Sequence, residues 1–215
     1  MTKPVLIGVI VAVVVVGGGA AYVLTKDDED KTKTTTSQEN GSNSNASAFN
    51  PASTEGLEFK ATLTTTGTTG TTEATIKHDD KGNTQYTATT NGQQVKIIYT
   101  ADAYYMCTGD NCIKYPITQS ANSGFNPSDY TYDQSKLAGY KNGAAYKGQK
   151  SCASGTCDVW SVSAGGVTST LYVDSSTKRI TQVESTIAGN TTKIVYDYSD
   201  VTITVPANAQ TIPTQ

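Results

Sequence analysis

The sequence predicts an all-β domain with minor helix: a strongly curved antiparallel meander of about eleven strands forming an incomplete barrel, preceded by one N-terminal transmembrane helix. Three observations carry this. An uncharged apolar run fills positions 5–24, residues beyond Gly56 alternate apolar and polar with period two, and turn-forming dipeptides recur between the alternating runs. The 215 residues accordingly divide into an anchor at 1–25, a disordered linker at 26–55, an extracytoplasmic β domain at 56–210 and a tail at 211–215.

The run at 5–24 has 20 residues, which at the helical rise span about 30 Å, the thickness of a bilayer core. Twelve of them are Val, Leu or Ile, each favouring insertion by roughly 0.3–0.6 kcal/mol, so their sum outweighs the glycines. Lys3 lies on one side and Asp27, Asp28, Glu29 and Asp30 on the other, so the positive-inside rule places the C-terminal domain outside the membrane. The expected location is the cell membrane, single-pass. A cleaved signal peptide is the competing reading, with an apolar region at 5–16 and small residues at 17–21. Lipid acylation is not expected, because the first cysteine is Cys107.

From 26 to 55 the chain is rich in Thr, Ser, Asn and charge, with too little apolar surface to offset the entropy of ordering. It reads as a linker with an r.m.s. reach of roughly 30 Å. Strands are expected at 57–66, 71–78, 84–90, 93–100, 103–107, 112–115, 145–152, 157–163, 167–174, 179–187 and 191–205, the last broken near Asp200. Leu57, Phe59, Ala61 and Leu63 would share one face, as would Val95, Ile97 and Tyr99, and later Val201, Ile203 and Val205. Asn91-Gly92 and Gly165-Gly166 are hairpin signals, while Asp79 to Asn83 and Ala188-Gly189-Asn190 suit longer turns. The stretch 117–144 breaks the rhythm, is weakly helical around 129–137, and has the length of a lid or binding loop.

Cys107 and Cys112 bracket TGDN, and Cys152 and Cys157 bracket ASGT. A disulfide needs Cα atoms about 4.4–6.8 Å apart whereas five extended residues span about 16 Å, so each pair requires a chain reversal. Gly109, Asp110 and Asn111 in one loop, and Ser154 and Gly155 in the other, permit it. Two local disulfides are expected, each contributing about 2 kcal/mol. The spacing also fits a four-cysteine zinc site, but an oxidising location favours disulfides.

Several functions are disfavoured. The net charge of -3 comes without a Lys/Arg cluster, so no nucleic-acid partner is expected. The single histidine, His78, flanks a turn; no G-x-S-x-G occurs; and Ser175 and Lys178 match S-x-x-K without its S-D-N and K-T-G partners. Asp197 with Asp200, and Asp129 with Asp133, are spaced to hold a cation weakly but read as solvated charge. The chain is expected not to be an enzyme, with no metal and no cofactor. Of the aromatics, 13 are Tyr against 1 Trp and 3 Phe, a bias toward rings with one wet end. Nothing in the sequence sets an oligomeric state.

The order TLYVDSSTKRITQVES, then TKIVYDYSDVTITVPANA, resembles the LolA/LolB-like lipoprotein-carrier superfamily of envelope proteins, including Gram-positive lipoproteins that share their half-barrel. The resembling elements are Leu171 to Asp174, Thr177, Ile180, Tyr196 to Ser199, and Val201 to Ala209, with YTADAYYMCTGDNCIKYP similar to the family's central hairpin. Two departures stand out: no amphipathic helix is evident before Leu57, and an apolar segment replaces the lipid anchor. The resemblance implies a curved, incompletely closed sheet around an apolar cavity for acyl chains of lipids or lipoproteins, covered by 117–144. The inward face would then carry Phe59, Leu63, Ile76, Tyr86, Ile97, Tyr99, Tyr105, Leu171, Val173, Ile194 and Tyr196. The alternative is a surface structural or adhesive domain with a filled core, binding protein or glycan.

Overall fold

The computed structural model describes residues 48–90, 92–117, 125–164 and 166–211. The expected anchor at 1–25, most of the linker, Asn91 and Gly165 of two hairpin signals, and nearly all of the tail lie outside the described residues. Among the described residues, no helix is long and apolar enough to cross a membrane.

Six strands come first: β1 (Phe59–Gly67), β2 (Gly70–His78), β3 (Thr84–Thr90), β4 (Gln93–Tyr99), β5 (Ala103–Thr108) and β6 (Asn111–Pro116). A short 3-10 turn (Pro127–Tyr130) and the helix α1 (Gln134–Lys141) come next. The remaining strands are β7 (Ala145–Cys152), β8 (Gly155–Ala164), β9 (Val167–Asp174), β10 (Ile180–Ile187), β11 (Asn190–Asp197) and the two-residue β12 (Gln210–Thr211). The expected bounds of the third, seventh and ninth strands match those observed.

These strands form one open sheet, in the order β12-β6-β5-β4-β3-β2-β1-β11-β10-β9-β8-β7. Its edges are β12 and β7, so the sheet is not a closed barrel. Nor is it a single meander: β1 pairs antiparallel with β11, Leu63 facing Ile194, and so joins two separate meanders at the middle. The consequence falls on the β6–β7 connection. It must pass from one side of the sheet to the far edge, ten positions away and about 48 Å if flat, so it crosses a face of the sheet.

Period-two alternation puts Phe59, Ala61 and Leu63 of β1 on the core face with Ile76, Tyr86, Ile97, Trp160, Val162, Leu171, Val173, Ile194 and Tyr196, all buried in one cluster. On β10 the register shifts between Ile180 and Gln182. This bulge keeps both Ile180 and Val183 in the same cluster although they are three residues apart. Ala188 and Gly189 both adopt positive φ, at 49° and 80°, in the tight turn before β11.

The outer face carries two smaller clusters. Ile98, Ala103 and Tyr105 pack with Ile203, and Cys157, Val159 and Tyr172 with Cys152. Both expected disulfides are present, Cys107–Cys112 with Cα atoms 4.1 Å apart and Cys152–Cys157 at 5.9 Å. Cys107 and Cys112 face one another directly across the β5–β6 hairpin, whereas Cys152 faces Gly155 and reaches Cys157 diagonally. The two bridges thus clasp the hairpins at opposite ends of the sheet, where strands have fewest neighbours.

Three expectations are corrected. Residues 201–205 form no strand: the Val201 amide donates to the Glu58 carboxylate at 2.8 Å, and Ile203 turns into the outer cluster while Val205 is exposed. Tyr105 pairs with Ile98, not with Ile97, because odd positions of β4 face even positions of β5; it therefore lies on the outer face. Phe49, placed in the linker by composition, is buried edge-on against Trp160 at 5.3 Å, so ordered packing begins well before Gly56.

Candidate functional site

The core face of the sheet is covered by the chain segments 49–54 and 125–141 rather than by a second sheet. Asn126 caps the 3-10 turn by accepting from the Ser128 amide at 3.2 Å, with Pro127 at the start, where its missing N–H costs nothing. Asp133 caps α1 by accepting from the Lys136 amide at 2.7 Å. Leu137 and Tyr140, three apart, then face the sheet and are buried.

Between turn and helix, Thr131 is extended (φ -105°, ψ 151°), so Tyr130 and Tyr132 project to the same side. That side is the sheet. Tyr130 stacks on Phe125 at 5.3 Å, and Phe125 meets Tyr86 and Tyr99. Tyr132 meets Tyr196 edge-on at 6.0 Å. Both tyrosines are 0 % exposed.

Polar ties hold this segment to the sheet. Tyr196 donates its hydroxyl proton to the Tyr130 carbonyl oxygen at 3.2 Å, and Tyr99 donates to the Phe125 carbonyl at 3.1 Å. Thr54 clasps Tyr132 from the other covering segment: its amide donates to the Tyr132 carbonyl at 2.9 Å and its hydroxyl accepts from the Tyr132 amide at 2.8 Å. Lys136 folds back over the turn and donates to the carbonyl oxygens of Ser128, Asp129 and Thr131 at 3.2, 2.8 and 3.0 Å, with its ammonium 4.6 Å from the Tyr132 ring centre. Burial lowers its pKa to about 8, partly opposed by the carboxylates of Asp129 and Asp133.

The hydroxyls of Tyr130 and Tyr132 meet no partner with hydrogen-bond distance and angle among the described residues, although the Tyr196 hydroxyl lies beside that of Tyr132. Such a buried, unpaired group costs about 1–3 kcal/mol. Burial pushes the pKa of Tyr130, Tyr132 and Tyr196 upward, so all three stay protonated donors at neutral pH.

Ten of the eleven inward-face residues expected from sequence come together here. Phe59, Leu63, Ile76, Tyr86, Ile97, Leu171, Val173, Ile194 and Tyr196 belong to the core cluster and Tyr99 packs against it; Tyr105 does not. Missing from that expectation were Trp160 on β8 and, in front of the sheet, Phe49, Phe125, Tyr130, Tyr132, Leu137 and Tyr140. The Tyr-x-Tyr alternation at 130–132 and the Leu137/Tyr140 spacing were signals of it.

The residues weighed for catalysis are dispersed. His78 stacks on Phe59 at 5.4 Å and shares a 2.8 Å hydrogen bond between Nδ1 and the Thr84 hydroxyl; burial lowers its pKa. Lys178 pairs with Asp158 at 3.6 Å, away from the buried Ser175 hydroxyl. Among the described residues no group of three or more His, Cys, Asp or Glu could hold a metal ion.

By sequence, no family model and no curated protein matches the chain. By structure, it is similar to lipoprotein LppX from Mycobacterium tuberculosis, with a TM-score of 0.50 at 12% identity over 70% of this chain and 92% of that one. LprF from Mycobacterium bovis is similar to the same degree, with a TM-score of 0.50 at 14% identity over 72% and 92% of the two chains. The chain shares the fold of these two structures. In this fold the β1–β11 pairing joins the two halves of the sheet, and residues 125–141 of the β6–β7 connection supply much of the cover. A LolA superfamily protein from Nitrosomonas europaea also aligns, at a TM-score of 0.29 and 9% identity over 66% of this chain and 83% of that one.

Proposed function

We propose that the domain binds an acyl chain of a lipid or lipoprotein between the core face of its sheet and the 125–141 segment, and that 5–24 tethers it, extracytoplasmically, to the cell membrane. One observation carries this reading. The apolar face of a single open sheet is closed by a short segment tied down by a few hydrogen bonds, the Tyr196–Tyr130 and Tyr99–Phe125 contacts among them. Lifting that segment exposes a continuous apolar surface from Ile97 on β4 to Leu171 on β9. An acyl chain would lie between the sheet and the side chains of Tyr130, Tyr132 and Leu137 and restore the burial lost as they lift. The fold shared with two mycobacterial structures, one of them a lipoprotein, supports an envelope role.

A second reading, a solid surface module that binds protein or glycan, is favoured by the packing of those same side chains against the sheet. Photocrosslinking separates the two. The full chain is reconstituted in vesicles that contain a phospholipid with a diazirine on its acyl chain, and adducts are mapped by peptide. Adducts on peptides containing Ile97, Leu171 or Tyr132 are expected; adducts confined to 5–24 would leave the solid module.

A further inference from the structure

We infer that the hydroxyls of Tyr130 and Tyr132 form a buried polar subsite that takes the carbonyl oxygen of an ester- or amide-linked acyl chain in preference to a free carboxylate. The inference rests on the acyl-binding reading and narrows it to a chemical class. Three other phenols at this face, those of Tyr99, Tyr196 and Tyr198, donate to backbone carbonyls at 3.1, 3.2 and 2.6 Å. The Tyr130 and Tyr132 hydroxyls, which meet no partner with hydrogen-bond geometry, are fully buried and stand two residues apart on the sheet-facing side of the covering segment. They are therefore placed at the boundary a ligand would enter.

A phenol can donate one hydrogen bond and a carbonyl oxygen can accept two. One acyl carbonyl can satisfy both hydroxyls, or the paired carbonyls of a glyceride can take one each. Charge then selects between acceptors. A buried carboxylate needs a cation, and among the described residues Lys136 lies over the Tyr132 ring. All three of its ammonium protons are already spent on the carbonyls of Ser128, Asp129 and Thr131. It has none left for a ligand. A neutral acceptor meets the donors without importing an unpaired charge.

The test uses the full chain in vesicles of ether-linked phosphatidylcholine, which lacks acyl carbonyls. Three diazirine probes of one chain length are compared: palmitate, its methyl ester and the plain hydrocarbon. Wild-type protein is expected to capture the ester about five- to tenfold more than palmitate on peptides of the core face. Tyr130→Phe together with Tyr132→Phe should lower ester capture by about the same factor, leave hydrocarbon capture unchanged and raise the melting temperature by removing the unpaired hydroxyls. A double variant that captures ester as wild type does, or that loses ester and hydrocarbon alike, would overturn the subsite while leaving acyl binding intact. Preference for palmitate would also overturn it. Wild-type protein that captures none of the probes on core-face peptides would remove the acyl-binding reading itself.

Discussion

The hydroxyl of Tyr196 on β11 donates to the carbonyl oxygen of Tyr130 across 3.2 Å, and 66 residues of chain separate the two. The bond ties the covering segment to the centre of the sheet. Tyr196→Phe keeps the ring but leaves that buried carbonyl without its donor, which should destabilise the protein by about 1–3 kcal/mol. Urea denaturation measures the loss. Faster hydrogen exchange at amides of 130–141, with β11 unchanged, is the accompanying expectation; equal exchange in variant and wild type would show that the bond does not hold the segment.

Cys107–Cys112 and Cys152–Cys157 each close a five-residue separation on a hairpin at an opposite end of the sheet. Replacing both cysteines of either bridge by Ala should cost about 2 kcal/mol in the chain-entropy account. Because each bridge spans one hairpin, exchange should quicken in β5–β6 or in β7–β8 but not in β1 or β11. Non-reducing peptide mapping provides the direct check, and a peptide linking Cys107 to Cys152 would contradict the pairing.

Leu171 is 1 % exposed, with Trp160 and Val183 facing it from the neighbouring strands. Leu171→Trp should overpack this region and cost roughly 1–3 kcal/mol. Thermal melts report it. A variant that melts with the wild type would mean that space remains in front of β9, contrary to a filled core.

Asp174 ends β9 and accepts from the amides of Ser176 and Thr177 at 3.0 and 2.7 Å and from their hydroxyls at 2.6 and 3.0 Å. These donors, the Ser176 hydroxyl foremost, hold its carboxyl well below the usual range. A carboxyl depressed in the folded state stabilises the fold above its unfolded pKa of about 3.9 and loses that contribution as pH falls toward the folded value. Asp174→Asn should therefore be less stable than wild type at pH 7, with the gap shrinking below about pH 4. Denaturation midpoints at pH 7, 5 and 3 test the sign; a constant gap would assign Asp174 a purely steric role.

Much of the architecture was legible along the chain because its causes are local. Alternation sorted Phe59, Leu63, Ile97 and Leu171 onto one face, since side chains of a strand repeat every two residues. The Ala188-Gly189-Asn190 turn announced itself through residues that tolerate positive φ, and each cysteine pair through a spacing that a single turn can close. Tyr105 shows where such reasoning stops. Its own strand was foreseen, but which face it shares with Ile97 depends on the register across the β4–β5 turn, and a change of one residue there moves the side chain through the sheet.

The sequence alone therefore determined a set of strands, most of their inward sides, and two staples. Only the tertiary structure decided that β1 pairs with β11 rather than remaining an edge, because that contact joins residues more than a hundred positions apart and no local pattern encodes it. That pairing separates β6 from β7, so that residues 125–141 lie across the core face, and this buries Tyr130 and Tyr132. Their burial depends on where a distant strand lies, and so does the candidate site.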